Sequence, residues 1–157
     1  TTMHTTDVTT TLDRILNFFP PHQHSLIRTQ LSTVLKGVLS QRLIKRIDAI
    51  GRVPAVEIMT NSPTVRQAIE EGRFTDLPKV LEEGQYFGMQ TFNQSLVKLC
   101  KQGSISRDDA LAFADDPDKL LLEFRGRSKS TSSSEQDISD KRRRDMKRKR
   151  RSQDLLG

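Results

Sequence analysis

Three histidines, one cysteine and one carboxylate at the end of an apolar run are the side chains here with the most chemistry open to them. His4 sits in Thr2-Met3-His4-Thr5. An imidazole is the side chain that changes charge nearest neutral pH, yet in so polar a setting it is by itself simply solvated. His22 and His24 flank Gln23 directly after Pro21. A metal site would need further ligands, and none stands at helical or turn spacing nearby, so both are expected as solvated loop or cap residues. The lone Cys100 excludes an intrachain disulfide and a cysteine-built zinc site. Glu57 ends a mainly apolar strand. It is either a partly buried carboxylate with a basic partner or an ordinary strand-end charge.

The elements that must hold these residues follow from periodicity. Thr6 or Asp7 caps a helix whose face is Val8, Leu12, Ile15, Leu16 and Phe19, stopped by Pro20-Pro21. A second helix is expected to carry Ile27, Leu31, Val34, Leu35, Val38 and Leu39, with Gly37 inside it at a cost of about 1 kcal/mol against Ala. Leu43 to Asp48 and Val53 to Met59 read as a hairpin turning at Gly51. Ser62-Pro63 opens a helix that closes at Gly72, and another runs from near Asp76 to near Gly84. Phe92, Leu96, Leu99 and Cys100 keep helical spacing up to Gly103. Ser106-Arg107-Asp108-Asp109 resembles a capping box with Asp in place of Glu, opening a helix to about Asp115. Leu120 to Phe124 would make a short strand or a helical turn.

The chain has 157 residues, enough for one ordinary domain, and 34% of them are hydrophobic. No run approaches the roughly 20 apolar residues that span a bilayer, and Thr1 to Thr11 has no signal-peptide pattern. These features favour a cytoplasmic protein. From Arg125 onward lie 12 of the 26 basic and 5 of the 20 acidic side chains, so that stretch carries +7 and residues 1–124 carry −1. The basic character belongs to the tail, which removes the main support for specific nucleic-acid binding by the folded part. Ser128 to Ser134 and the basic run Lys141 to Arg151 have too little apolar surface to offset their ordering entropy, so disorder is expected there.

Four segments, in order, resemble one family. Thr2-Met3-His4-Thr5 before Leu12-Asp13-Arg14-Ile15 resembles the histidine box and following helix of secretion-type ATPases. Leu35-Lys36-Gly37-Val38-Leu39-Ser40-Gln41-Arg42-Leu43 is similar to the segment that follows it in that superfamily. Gly51 to Met59 resembles the strand region of the PilT and PilU branch. Gly88-Met89-Gln90-Thr91-Phe92 with Ser95-Leu96 is the most specific match, close to diagnostic for type IV pilus retraction motors. Assembly and type II secretion ATPases often carry a four-cysteine zinc insertion after Gln-Arg-Leu. Here Arg42 runs to Glu57 without a cysteine, which points to retraction. The family helix Ala-Ile-Arg-Asn-Leu-Ile-Arg-Glu corresponds to Thr64-Val65-Arg66-Gln67-Ala68-Ile69-Glu70-Glu71. Arg66, Ile69 and Glu71 fit it, and Gln67 and Glu70 do not. The stretch from Ala110-Leu111 to Asp116 looks more like the PilU side, and the choice between PilT and PilU stays open.

The resemblance implies the carboxy-terminal half of a RecA-like α/β P-loop ATPase core, then a helical carboxy-terminal part and a disordered basic tail. The divisions expected are residues 1–60, 61–124 and 125–157. It implies a homohexamer working with an inner-membrane pilus platform protein, ATP and Mg2+ as cofactors of the full-length protein, and a place at the cytoplasmic face of the inner membrane. His4 would face the γ-phosphate, Arg66, Ile69 and Glu71 would serve retraction, and Gly88, Met89, Gln90 and Thr91 form the signature. No Gly-x-x-x-x-Gly-Lys-[Ser/Thr] occurs, so the polypeptide as given lacks the phosphate cradle. With Thr at position 1, the amino terminus is expected to be a truncation, with Thr1 to Thr5 the end of a central strand. Two other readings stay open: an assembly or type II secretion ATPase, and a non-catalytic adaptor with a polyanion-binding tail. The tail, Lys141 to Arg151, is expected to solvate the chain and to make at most weak contact with anionic lipid.

Overall fold

The computed structural model describes residues 1–125, so the expectations for the Ser-rich run and for Lys141 to Arg151 lie outside the described residues. The chain divides into two compact units, Thr1–Pro117 and Asp118–Gly157. In the second, the described residues 118–125 are helical, which decides between strand and helix at Leu120 to Phe124.

Asp7 opens helix α1, Val8–Leu16, by accepting the Thr10 N–H at 2.7 Å. The helix buries Val8, Leu12 and Leu16 and ends at Asn17, which leaves Phe18 and Phe19 exposed beyond it. One 3₁₀ turn over Pro21–Gln23 leads into α2, His24–Val34. The expected continuation of α2 through Val38 and Leu39 does not occur. Leu35 turns extended at ψ 130°, and Gly37–Lys45 is strand β1. The helical spacing of Val34, Leu35 and Val38 is real, but the backbone of residues 37–45 bonds instead to β2, Arg52–Thr60. The ladder is antiparallel, from Gly37 opposite Thr60 to Lys45 opposite Arg52. It is longer than the hairpin expected, and it turns through Gly51 at φ 115°. Gly37 does meet a packing limit, though in a strand: a Cβ there would lie 2.6 Å from the Met59 carbonyl oxygen.

The hairpin follows the period of two. One face carries the buried Ser40, Ile44, Ala55, Glu57 and Met59, while Leu39 and Leu43 point the other way and are exposed. Helix α3, Pro63–Glu71, starts on the Ser62 cap and closes at Gly72 in the left-handed region, φ 72°, as expected. A short turn over Phe74–Asp76 feeds α4, Leu77–Glu83. Helix α5, Phe92–Lys101, begins in a full capping box between Thr91 and Gln94. Helix α6, Arg107–Ala112, is capped by Ser106, whose hydroxyl accepts the Asp109 N–H at 3.0 Å. The Asp109 carboxylate returns to that hydroxyl at 2.6 Å, not to the Ser106 N–H that a Glu would reach.

One core unites these pieces: Val8, Leu12 and Leu16 pack with Met59, with Val65, Ala68 and Ile69, with Phe74, Leu77 and Leu81, and with Met89. Apolar packing therefore runs unbroken across residue 60. Residues 1–5 form no strand, because among the described residues no strand pairs with their backbone.

Candidate functional site

The turn leading into α1 is held at alternate residues by side chains from three elements. Arg14, on α1 itself, donates to the His4 carbonyl at 2.5 Å. Arg42, on β1, reaches the Thr6 carbonyl at 3.4 Å. Glu57, on β2, accepts the Val8 N–H at 2.8 Å. The His4 ring itself is exposed and makes no hydrogen bond or ion pair among the described residues. A fixed backbone with a free imidazole is an arrangement that presents the ring outward.

Glu57 is 6% exposed. Its partner is a backbone N–H rather than the basic side chain weighed from sequence. Burial pushes its carboxyl up to about 7; the Val8 N–H pulls back, the Asp115 and Asp7 charges push further, and Arg42 pulls back weakly. Asp7 moves the other way. Burial opposes its charge, but the Thr10 N–H, the Thr6 and Thr10 hydroxyls and Arg42 together hold its pKa below the usual carboxylate range.

Arg42 is the hub of this region. Its Nη1 donates to the Phe113 carbonyl at 2.7 Å, and its Nη2 pairs with Asp115 Oδ1 at 2.6 Å. The guanidinium lies 3.8 Å from the centre of the Phe92 ring. Sequence reasoning placed Arg42 only within a similar segment. Its partners lie 36 to 73 residues away, so no local pattern marks it.

The signature run has a structural explanation. Gly88 takes φ 74°, and Met89 is buried against Gly84, where an added Cβ would sit 2.5 Å from the Met89 sulfur. Gln90 exchanges both backbone hydrogen bonds with Ile58, at 2.8 and 3.0 Å, and its side chain donates to the Val56 carbonyl at 2.8 Å. Thr91 then caps α5. The four residues thus staple a turn to β2 and launch a helix. Ile69 is fully buried, whereas Arg66 and Glu71 are exposed. The Gln67 side chain at 2.9 Å and Arg73 at 2.5 Å hold the Glu71 carboxyl below its usual pKa. His24 meets the Phe19 carbonyl at 2.9 Å, as a cap residue would, and His22 is exposed in the 3₁₀ turn. Burial pushes the Cys100 thiol up, so its thiolate is disfavoured. Among the described residues no group of three His, Cys, Asp or Glu could hold a metal ion, and no helix is long and apolar enough to cross a membrane.

The chain is 40% identical over 119 residues to a twitching motility protein of Neisseria gonorrhoeae, covering 76% of the chain and 32% of that relative. It is 38% identical over 119 residues to the type IV pilus retraction ATPase PilT of Pseudomonas aeruginosa, covering 76% of the chain and 34% of PilT. With PilU of the same organism the figures are 36% over 121 residues, 77% and 32%. Over the region it spans, the chain is a homologue of PilT and PilU. It spans about a third of the length of these curated relatives. No family model matches the sequence.

Structural likeness agrees. The crystal structure of the pilus retraction motor PilT with bound ADP matches with a TM-score of 0.67 at 35% identity, over 76% of the chain and 33% of that structure. The ATPase DotB of Legionella pneumophila matches with a TM-score of 0.55 at 19% identity, over 76% of the chain and 30% of that structure, which supports the fold alone. The mixed helix and strand fold therefore matches the carboxy-terminal portion of the PilT and DotB ATPase structures. The four segments and the missing cysteines led to the same family.

Proposed function

We propose that this chain belongs to an ATP-hydrolysing motor that retracts type IV pili. The observation that carries the reading is the Gly88 to Thr91 staple on β2, in a chain 36 to 40% identical to proteins of twitching motility and pilus retraction. The motor works as a homohexamer at the cytoplasmic face of the inner membrane, against a pilus platform protein. The PilT and PilU assignments remain equal alternatives within that reading.

Nucleotide contact in this region reduces to His4, since residues 1–157 hold no phosphate-binding loop. ATP with Mg2+ supplies the phosphoryl group when bound, and the cradle for it belongs to a part of the family's length that this chain does not span. What this chain offers is a presented imidazole whose backbone carbonyl is held by Arg14, suited to donate one hydrogen bond to a phosphate oxygen. Arg66 and Glu71 lie exposed along α3 and Ile69 beneath them. We assign the two charged residues to contacts made during retraction and Ile69 to holding the helix. Residues 1–60 then belong to the ATPase core and 61–124 to the helical part, with one packed interior joining the buried side chains from Val8 to Met59 with those from Val65 to Met89. The basic run Lys141 to Arg151 adds a weak attraction for anionic lipid.

Deleting the gene that encodes this chain tests the reading. Retraction loss leaves cells over-piliated and non-twitching, whereas bald cells would reassign it to an assembly or secretion ATPase. Truncation at residue 125 adds a second test. A motor tolerates it, and an adaptor acting through the basic tail does not.

A further inference from the structure

We propose that Arg42 is a positioning residue that couples the placement of the turn behind His4 to the placement of the segment Phe113 to Asp115. Its consequence for catalysis rests on the reading of His4 as a phosphate-facing residue, but the coupling itself does not.

The geometry points to one shared nitrogen. Arg42 Nη2 lies 2.6 Å from Asp115 Oδ1 and 3.4 Å from the Thr6 carbonyl, so the short bond sets where that nitrogen sits and the long one follows. The group has little freedom to satisfy the two in turn. Nη1 is fixed to the Phe113 carbonyl at 2.7 Å, and the planar face rests on Phe92, which is fully buried at the start of α5. A rigid fork held on three sides transmits displacement, where a flexible ammonium on a single contact would absorb it. Withdrawal of Asp115 therefore moves Nη2 relative to Thr6. Thr6 lies two residues from His4 on one side and two from Val8 on the other, and Val8 is held by Glu57. A change at the end of α6 thus reaches the histidine turn without passing through the core.

The test uses the whole 157-residue chain with assigned amide resonances, comparing wild type, Asp115→Asn, Arg42→Lys and the double variant. Spectra are taken near pH 5.5, below the Glu57 value of about 7, so that Glu57 stays protonated and the direct Asp115–Glu57 repulsion drops out. Asp115→Asn is expected to shift the Thr6, Asp7 and Val8 amides. In the Arg42→Lys background the same change is expected to leave them in place. Unmoved amides in Asp115→Asn, or equal shifts in both backgrounds, would overturn the coupling. Methyl resonances of the buried Ile69 and Leu77 report whether each variant stays folded. If Arg42→Lys does not, Asp115→Asn alone decides, because Asp115 is half-exposed. No nucleotide enters these spectra. A retracting motor with His4→Ala would count against the role of His4 and leave the coupling standing.

Discussion

The Glu57 carboxylate accepts the Val8 N–H at 2.8 Å across 49 residues of sequence, so the hairpin holds the start of α1 by a buried acid. A helix amino terminus favours a negative charge. Here burial outweighs that preference and the nearby Asp115 and Asp7 add to it, which is why the carboxyl lies near 7 rather than below its usual value.

That balance predicts an unusual pH dependence. In the unfolded chain Glu57 titrates near 4.5, and in the folded one near 7. Between those values the folded state holds the extra proton, so stability falls as pH rises and the full penalty is present above about 7. The penalty amounts to up to about 3 kcal/mol. Glu57→Gln keeps an acceptor for the Val8 N–H and removes the charge. Urea denaturation from pH 4.5 to 8 should show the wild type losing stability relative to Glu57→Gln across this window. Parallel curves would mean that the carboxyl is not held near 7.

How much of this was legible in the sequence depends on the range of the forces concerned. Asp7, Ser62, Thr91 and Ser106 act within three residues, and each was readable as a helix start or lies in a quoted motif. Gly72 and Gly51 were readable because only glycine takes positive φ cheaply. The start of β1 was not. Val34, Leu35, Val38 and Leu39 fit a helix face equally well, and the decision belongs to a ladder with residues 52–60 that periodicity does not contain. The site divides the same way. His4 stood out by type and resemblance, while the roles of Arg42 and Glu57 come from partners met only after folding.

The staple at Gln90 and Thr91 should divide its energy in a definite way. Thr91→Ala removes the cap of α5 and should cost about 1 kcal/mol. Gln90→Ala leaves the backbone pair with Ile58 intact and loses one side-chain bond to Val56, at about 0.5–1.5 kcal/mol. Neither loss should unfold the protein. Chemical denaturation monitored by circular dichroism measures both, and a loss beyond about 3 kcal/mol for Gln90→Ala would mean that the side chain does more than bridge the strand.

Among the residues linked to retraction, exposure separates function from packing. Arg66→Ala changes only the exposed surface of α3, and Glu71→Ala loses in addition an exposed ion pair with Arg73 and a bond from Gln67, so each should cost no more than about 1 kcal/mol. Ile69→Ala empties a fully buried site and should cost about 2–5 kcal/mol. Twitching assays beside melting curves distinguish the cases. Arg66 and Glu71 variants that lose motility while melting normally would place these side chains in a working contact. Full motility in both would confine α3 to a structural part.

Two glycines meet obstacles of different stiffness, and the difference is measurable. At Gly37 an added Cβ would lie 2.6 Å from the Met59 carbonyl oxygen, a backbone atom fixed by the ladder. At Gly84 it would lie 2.5 Å from the sulfur of Met89 and 3.1 Å from its Cβ and Cγ, all atoms of one flexible side chain rather than backbone. Gly37→Ala must displace the strand and should cost about 1–3 kcal/mol, whereas Gly84→Ala should stay near 1 kcal/mol as Met89 re-packs. The two halves of the Gly84 contact are also coupled. Met89→Ala leaves a cavity that the methyl introduced by Gly84→Ala partly fills, so the double variant should lose less than the summed single losses. A thermal-denaturation cycle reads that coupling directly. Strict additivity would mean that Gly84 is small for a reason other than the packing of Met89.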